Sequence, residues 1–246
     1  MAIIGGRIAA LILSRYEWRD ASYYRAEYQA ENKIESLLGT DFWNVVRGKT
    51  VLDFGCGEGR EALAIARSGA AEVIGIDIRE EMINRAKANQ ATSGITNCSF
   101  ATQCDRTVDV VVSLDSFEHF GQPDLILKRM AELLAPNGRV VFSFGPPWFH
   151  PLGGHFPLFP WAHLLITEKA LMKWRSKYKT DNAKRFGEVE GGLNQMSIRK
   201  FQKLVGESPL AIERLETVPI RAARAIHCRL TREYLSSVVR GSLVHR

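Results

Sequence analysis

The stretch Val51-Leu-Asp-Phe-Gly-Cys-Gly-Glu-Gly-Arg60 decides the fold of this chain. A short apolar run ends in three glycines, and an alanine-rich segment follows them. Glycine lets the backbone adopt positive φ and approach a ligand closely, so the pattern predicts a strand, a ligand-binding turn and a helix. The dinucleotide fingerprint G-x-G-x-x-G fails, because Arg60 occupies the position of its third glycine.

Similar strand and helix segments continue on the carboxyl side of this unit. Strands are predicted at 50–54, 72–77, 98–101, 108–114 and 139–144, with helices at 58–68, 79–90 and 124–134. This alternation predicts an α/β fold with a doubly wound, Rossmann-like, mostly parallel sheet. Two further strands, at 210–218 and 235–244, bring the sheet to seven strands and form an antiparallel edge.

The 246 residues are expected to form a single domain with four parts. These are an N-terminal helical cap at 1–45, a cofactor-binding core at 46–146, a substrate lid inserted after the fifth strand at 147–196, and a C-terminal helix with edge strands at 197–246. The lid is rich in proline, histidine and tryptophan. Long irregular insertions of this kind commonly cover binding sites.

Composition excludes several classes of protein. Hydrophobic residues make up 46% of the chain and charged residues 24%, which is unlike a disordered or fibrous protein. No apolar run is long enough for a membrane span, and the apolar start lacks the features of a signal peptide, so we expect a cytoplasmic protein. The four cysteines form no C-x-x-C pair, which argues against a disulfide framework or a zinc site.

Charge is unevenly distributed along the chain. Residues 147–246 contain 17 basic and 8 acidic side chains, whereas residues 1–146 contain 16 and 19. The basic part could attract an anionic substrate, a nucleic acid or a membrane surface, or it could be a set of scattered solvated side chains. Weak peripheral membrane contact through Ala2–Leu13 stays open, while no RNA-binding module is visible and no nucleic-acid partner is expected.

Two acids near the glycines indicate the ligand. Asp53 precedes the first glycine by two residues, where it would repel a pyrophosphate but suit a ligand that carries a cation. Asp77 lies twenty residues after Gly57 at the end of the second strand, where an acid can accept hydrogen bonds from both ribose hydroxyls. S-adenosylmethionine, a nucleoside with a sulfonium and an ammonium but no phosphate, has these properties.

The sequence resembles the class I S-adenosylmethionine-dependent methyltransferases, in particular those of the ubiquinone-biosynthesis and related small-molecule group. The resemblance covers residues 30–146 and rests on four ordered motifs. These are Val51–Gly59, Val73–Asp77 with Met82–Lys87, Val108–His119, and Leu133–Phe142, where Asn137 replaces the first glycine of a Pro-Gly-Gly turn.

The resemblance implies a set of cofactor contacts. The glycines would line the methionine and ribose, Ile78 would pack on adenine, Cys104 and Asp105 would lie near the adenine amino group, and the end of the fourth strand would face the methionine. The full set is Asp53, Gly55, Cys56, Gly57, Gly59, Asp77, Ile78, Cys104, Asp105, Leu114 and Asp115. The chain departs from the family by lacking a clear Gly-Asp at Cys104-Asp105.

Methyl transfer to oxygen also needs a group that takes the proton of the nucleophile. His119 follows the fourth strand, and the resemblance pairs it with Glu118, so it is the candidate base; the alternative is a histidine that packs on the lid. Tyr24, His150 and His155 are candidate substrate contacts. The lid histidines have no known metal-ligand spacing, and no metal site is expected.

The expected acceptor is a small molecule, a lipid-linked compound or a glycan precursor, methylated on oxygen. The sequence after the fourth strand, Leu114-Asp-Ser-Phe, differs from the Asn- or Asp-Pro-Pro-Tyr motif of enzymes that methylate DNA amines. Two alternatives remain: a catalytically inactive binding or scaffold protein of the same fold, and a nicotinamide-dependent dehydrogenase. The intact glycines argue against an inactive scaffold protein. Asp53 and Arg60 argue against a dehydrogenase.

Overall fold

A computed structural model describes residues 2–18, 30–189 and 191–246. The strands are β1 (Thr50–Phe54), β2 (Glu72–Ile76), β3 (Cys98–Ala101), β4 (Val108–Leu114), β5 (Leu134–Phe144), β6 (Leu210–Pro219) and β7 (Ser236–His245). The helices are α1 (Gly6–Leu13), α2 (Ala30–Leu38), α3 (Phe42–Val46), α4 (Arg60–Arg67), α5 (Glu80–Ser93), α6 (Pro123–Leu133), α7 (Ala162–Leu165), α8 (Glu168–Arg175), α9 (Ile198–Gly206) and α10 (Arg232–Leu235). Two short 3₁₀ turns lie at Phe186–Glu188 and Arg221–Ile226.

All seven strands belong to one sheet, in the order β3-β2-β1-β4-β5-β7-β6. Strands β1 to β5 run parallel, and the winding direction changes between β1 and β4. β7 is antiparallel to both of its neighbours, so the last two strands form the antiparallel pair expected at this edge. The predicted α/β, Rossmann-like fold is confirmed, and its carboxyl ends meet beside the β1–β4 junction.

Apolar side chains cover both faces of the sheet. On one face, α6 and α9 pack around Phe117, Phe142 and Phe201. On the other, α2, α3 and α4 pack around Ile34 and Ile65. Strands β1, β2 and β4 are buried on both faces, which explains why they are mainly apolar rather than alternating in polarity.

The largest error among the predicted strand and helix boundaries is at the fifth strand. The fifth strand begins at Leu134, directly after α6, rather than at Arg139. Its register against β4 shifts between Leu134 and Arg139, so the Pro136-Asn-Gly138 turn is absorbed as an irregularity of the strand. This irregularity requires a glycine at position 138, because a Cβ there would overlap the Asp109 carbonyl oxygen at 2.7 Å.

Residues 147–196 contain α7, α8 and a 3₁₀ turn, with their own apolar cluster that includes Phe156, Leu171 and Trp174. Helix α1 joins this cluster through Ala9 and Leu13. A backbone bridge links Ile4 to Ile166, beside hydrogen bonds from Ile3 and Ile4 to Leu165. The N-terminal segment that contains α1 therefore packs on the segment that follows β5.

Candidate functional site

The three glycines after β1 form the predicted turn, each with positive φ: 84° at Gly55, 53° at Gly57 and 76° at Gly59. A Cβ at Gly59 would lie 2.5 Å from the Phe100 ring, so this glycine is required by packing as well as by its dihedral angle. A Cβ at Gly57 would meet no atom within 4 Å. The turn thus presents open space at its middle glycine, where a ligand can approach the backbone.

Asp77 follows β2 and reaches across to this turn. Its Oδ2 accepts a hydrogen bond from the backbone N–H of Gly57 at 3.1 Å, and its Oδ1 accepts one from the N–H of Arg79 at 2.9 Å. The Arg79 guanidinium also donates to the carboxylate, at 3.1 Å and 3.3 Å. These contacts fix the carboxylate beside the glycine turn, in position to accept further hydrogen bonds from a diol.

Asp53 lies beneath the turn and is almost completely buried. Its Oδ2 has no hydrogen-bond partner among the described residues. Burial, followed by the negative charge of Glu61, raises the pKa of Asp53 to about 8, although Lys33 acts in the opposite direction. A cationic ligand nearby would favour the ionised form of this carboxyl group.

Sequence reasoning missed a cation at this site. The Nζ of Lys33 lies 2.9 Å from Glu61 Oε1 and 3.3 Å from Asp115 Oδ2. Burial lowers the pKa of Lys33, but the two carboxylates more than offset this and raise it. No motif marks Lys33, because its helix α2 precedes the glycine turn and reaches the site only through packing.

Asp115 has an unusual backbone conformation at the end of β4. Its φ is 48°, in the left-handed region that non-glycine residues occupy at a cost. Its carboxylate meets Lys33, and the adjacent Leu114 is buried. The bend therefore turns a charged group out of the sheet edge and towards α2.

The remaining predicted cofactor residues differ in exposure. Cys56 and Cys104 are buried, and burial raises the pKa of the Cys56 thiol. Ile78 is 91% exposed beside Asp77, an unusual environment for an isoleucine. Asp105 is also exposed, and its carboxylate pairs with Arg129 at 3.2 Å.

His119 and His155 lie together at a cavity of about 180 Å³ between the turn after β4 and the segment after β5. Their ring centroids are 5.5 Å apart. His119 Nδ1 lies 2.8 Å from the carbonyl oxygen of Gly192, which can only accept, so Nδ1 carries the proton. In the neutral ring, Nε2 then has the free lone pair. His155 has a φ of 55°, a second strained position at the same cavity.

The structure gives His150 a different environment. It is buried, its Nδ1 accepts a hydrogen bond from the N–H of Leu152, and burial with the nearby His163 lowers its pKa to about 4. It does not line the cavity beside His119. Tyr24 lies outside the described residues.

Glu118 is buried next to His119. Its Oε1 accepts a hydrogen bond from the N–H of Gly145 at 3.1 Å, while Oε2 has no partner among the residues that the structure describes. Burial, reinforced by the charge of Asp115, raises the pKa of Glu118 to about 8. Within the described ranges, no three His, Cys, Asp or Glu side chains are grouped to hold a metal ion.

The chemistry of these groups fits S-adenosylmethionine. Asp77 offers hydrogen-bond acceptors for the ribose, Ile78 offers an apolar surface for the adenine, and Lys33 with Asp115 offers a cation and an anion for the zwitterionic methionine end. The open space at Gly57 leaves room for a ligand between them.

Comparison with known proteins finds similarity to methyltransferases. Residues 46–146 match the family model described as a methyltransferase domain. A ubiquinone biosynthesis O-methyltransferase of Neisseria meningitidis serogroup C is 36% identical over 108 residues, which cover 40% of this chain and 44% of that protein. The Idiomarina loihiensis protein of the same name is 37% identical over 103 residues, covering 39% and 42%. The chain therefore aligns with less than half the length of these relatives.

Solved structures share the fold over most of the chain. Magnesium protoporphyrin IX methyltransferase from Synechocystis PCC 6803 with bound SAH has a TM-score of 0.56 at 20% identity, covering 97% of this chain and 93% of that one. An S-adenosylmethionine-dependent methyltransferase from Mesorhizobium loti has a TM-score of 0.56 at 19% identity, covering 88% and 98%. Residues 46–146 are thus a methyltransferase domain by the family model, and most of the chain shares the fold of these solved methyltransferases.

Proposed function

We propose that this protein binds S-adenosylmethionine and transfers its methyl group to a hydroxyl oxygen of a small-molecule acceptor. The observation that carries the proposal is the pairing of the glycine turn with Asp77, whose carboxylate bonds to the Gly57 N–H. When bound, S-adenosylmethionine supplies a methyl group on a sulfonium, which is already electrophilic. The protein's part is to position both reactants, exclude water and accept a proton.

Binding of the nucleoside rests on the end of β2, beside the glycine turn that follows β1. Asp77 accepts hydrogen bonds from the ribose hydroxyls, and Ile78 covers one face of the adenine. The remaining proposed contacts lie in β1 and its glycine turn, after β3, and at the end of β4. They are Asp53, Gly55, Cys56, Gly57, Gly59, Cys104, Asp105 and Leu114. Exposure of Ile78 supports its part, because a flat apolar ring would shield it from water.

The methionine end is held by opposite charges. Lys33 binds the carboxylate, and Asp115 binds the ammonium, so the existing Lys33–Asp115 contact at 3.3 Å is exchanged for two contacts to the ligand. Because Glu61 remains bonded to Lys33, the ammonium group of Lys33 keeps its position.

His119 accepts the acceptor's proton through Nε2. Its bond to Gly192 fixes the tautomer and the plane of the ring, which is the arrangement a general base needs. His155 contacts the acceptor from the facing side of the cavity. Tyr24 completes the proposed set of acceptor-binding residues. His150, which does not line the cavity beside His119, contributes to the acceptor site by shaping the lid.

The four parts expected from the sequence have separate roles in this proposal. Residues 46–146 hold the cofactor, 147–196 cover the acceptor, 1–45 cap the site and 197–246 complete the sheet. Helix α1 contributes to the lid side of this arrangement. A small-molecule acceptor is supported by the resemblance to the ubiquinone biosynthesis O-methyltransferases. Free cysteines, including the exposed Cys228, suit a reducing compartment such as the cytoplasm.

Isothermal titration with S-adenosylhomocysteine, with NADH as the control, tests the proposal. Micromolar binding of S-adenosylhomocysteine alone would support it and justify a screen of hydroxylated small molecules as acceptors. Binding of neither would favour a scaffold protein of the same fold. Binding of NADH alone would contradict the assignment of the glycine turn.

A further inference from the structure

Exposed apolar side chains are concentrated in three segments, at 2–15, 147–166 and 220–235. Nine of the twelve large hydrophobic residues that are exposed among the described residues lie there. They are Ile3, Ile8, Leu11, Leu152, Trp161, Leu165, Ile226, Leu230 and Tyr234. Single exposed hydrophobic residues are common on protein surfaces, but a concentration of this kind indicates a binding surface.

Direct contacts join the three segments into one surface, which we call the basic apolar surface. Ile3 donates a backbone hydrogen bond to Leu165, one helical turn from Trp161. The Trp161 indole donates to the carbonyl oxygen of Phe149, and the Phe149 ring packs against Tyr234 at 5.6 Å between centroids. The surface therefore runs from α1 across the lid to the β6–β7 connection.

This surface lies at the carboxyl edge of the sheet. Residues 147–166 follow the end of β5, and residues 220–235 follow the end of β6. Three residues of 147–166, Gly154, His155 and Phe156, also line the cavity beside His119. Whatever binds the surface would therefore lie next to the candidate active site.

The charges on this surface have one sign. Its basic residues are Arg7, Arg15, Arg221, Arg224, Arg229 and Arg232, and residues 147–166 contain no charged side chain. Its one acid, Glu233, is buried and accepts hydrogen bonds from the N–H groups of Ile198 and Arg199. Within the described ranges, Arg221, Arg224 and Arg229 form no ion pair, so their charge faces solvent.

We propose that the basic apolar surface docks on a lipid bilayer that contains anionic phospholipid. Aliphatic and tryptophan side chains would insert at the headgroup boundary while the arginines contact lipid phosphates. A second copy of the chain is a poorer occupant, because a symmetric dimer through this surface would bring the arginines face to face. Docking would place the cavity at the membrane surface, where lipid-soluble acceptors are concentrated.

Flotation with lipid vesicles tests this proposal without cofactor or acceptor, so it does not depend on methyl transfer. One set of vesicles is phosphatidylcholine alone, and in the other about a third of the lipid is phosphatidylglycerol. The protein is expected to float with the anionic vesicles only and to be released as the salt concentration rises. Equal binding to both sets, or to neither, would overturn the proposal.

Surface variants locate the contact. The double variant Ile8→Gln, Leu11→Gln removes apolar contact with the bilayer and is expected to weaken binding to anionic vesicles. Arg221→Ala and Arg224→Ala are each expected to weaken the same binding about fivefold. Leu125→Gln and Lys128→Ala on α6 are matched controls, exposed but outside the surface, and should bind as the wild type does. Equal losses in the controls, or a change of oligomeric state in the surface variants without loss of vesicle binding, would overturn the assignment.

Tryptophan fluorescence tests the orientation of the wild type, with one conservative substitution as the comparison. Anionic vesicles with brominated acyl chains should quench the fluorescence of Trp161, which lies at the centre of the surface. The quenching should be largely lost in Trp161→Phe, since the other tryptophans of the described chain are less exposed. Unchanged quenching in Trp161→Phe would contradict the proposed orientation.

Discussion

The Nδ1 atom of His119 lies 2.8 Å from the carbonyl oxygen of Gly192. This contact joins the turn after β4 to the far end of the lid. It holds Nδ1 as a donor and leaves Nε2 of the neutral ring as an acceptor, and the His119 side chain lines the cavity shared with His155. The same hydrogen bond thus orients the proposed base and ties it to the segment that follows β5.

Replacement of His119 tests its role in proton transfer. His119→Ala should leave the affinity for S-adenosylhomocysteine unchanged and reduce kcat with a hydroxylated acceptor by about a hundredfold to ten-thousandfold, the usual range for loss of a general base. His155→Ala should act mainly on KM for the acceptor. A normal kcat in His119→Ala, measured from S-adenosylhomocysteine release, would remove it as the base.

Asp77 is expected to control cofactor affinity. Asp77→Ala removes the two charged hydrogen bonds proposed to the ribose and should weaken binding of S-adenosylhomocysteine at least about a hundredfold by isothermal titration. It also removes the acceptor for the Gly57 N–H, so the melting temperature should fall. Near-normal affinity in a folded variant would disprove the ribose assignment.

Lys33 should matter for the methionine end of the ligand alone. Lys33→Met is expected to lower affinity for S-adenosylhomocysteine about tenfold, while the affinity for adenosine, which lacks that end, stays the same. Lys33→Arg should retain most of the affinity. Lys87→Met, an exposed lysine of α5, is the matched control. An equal loss for both ligands would indicate a structural role.

Glu118 gives a stability test with a defined sign. Its pKa is raised from 4.5 to about 8 in the folded protein. As the pH rises, the carboxyl group therefore loses its proton at a lower pH in the unfolded state than in the folded state. The stability from the neutral carboxyl group is full below pH 4.5 and is lost as the pH rises towards about 8. Glu118→Gln cannot ionise, so its melting temperature relative to the wild type should increase across this range. A difference independent of pH would contradict the shifted pKa.

Glycine substitutions separate backbone strain from steric overlap. Gly94, with a φ of 70° and open space around it, should lose about 1 kcal/mol of unfolding free energy as Gly94→Ala. Gly59→Ala adds an overlap with Phe100 at 2.5 Å to a similar φ and should cost about 3 kcal/mol or more. Equal losses in urea denaturation would show that Phe100 moves aside.

The sequence by itself determined the sheet, the glycine turn and the place of Asp77. These features follow from local patterns: apolar runs form strands, glycines permit positive φ, and one βα unit fixes the distance from Gly57 to Asp77. The same local reasoning placed the start of the fifth strand too late, since a Pro-Asn-Gly turn usually separates elements rather than lying within a strand.

Only the tertiary structure decided which distant residues meet. It brings Lys33 of α2 to Asp115 after β4, faces His119 with His155, and packs α1 on the segment that follows β5. It also separates His150 from His119, although both are histidines near the same edge. Such pairings arise because apolar burial sets the positions of whole elements, and no periodicity along the chain records which side chains then come into contact.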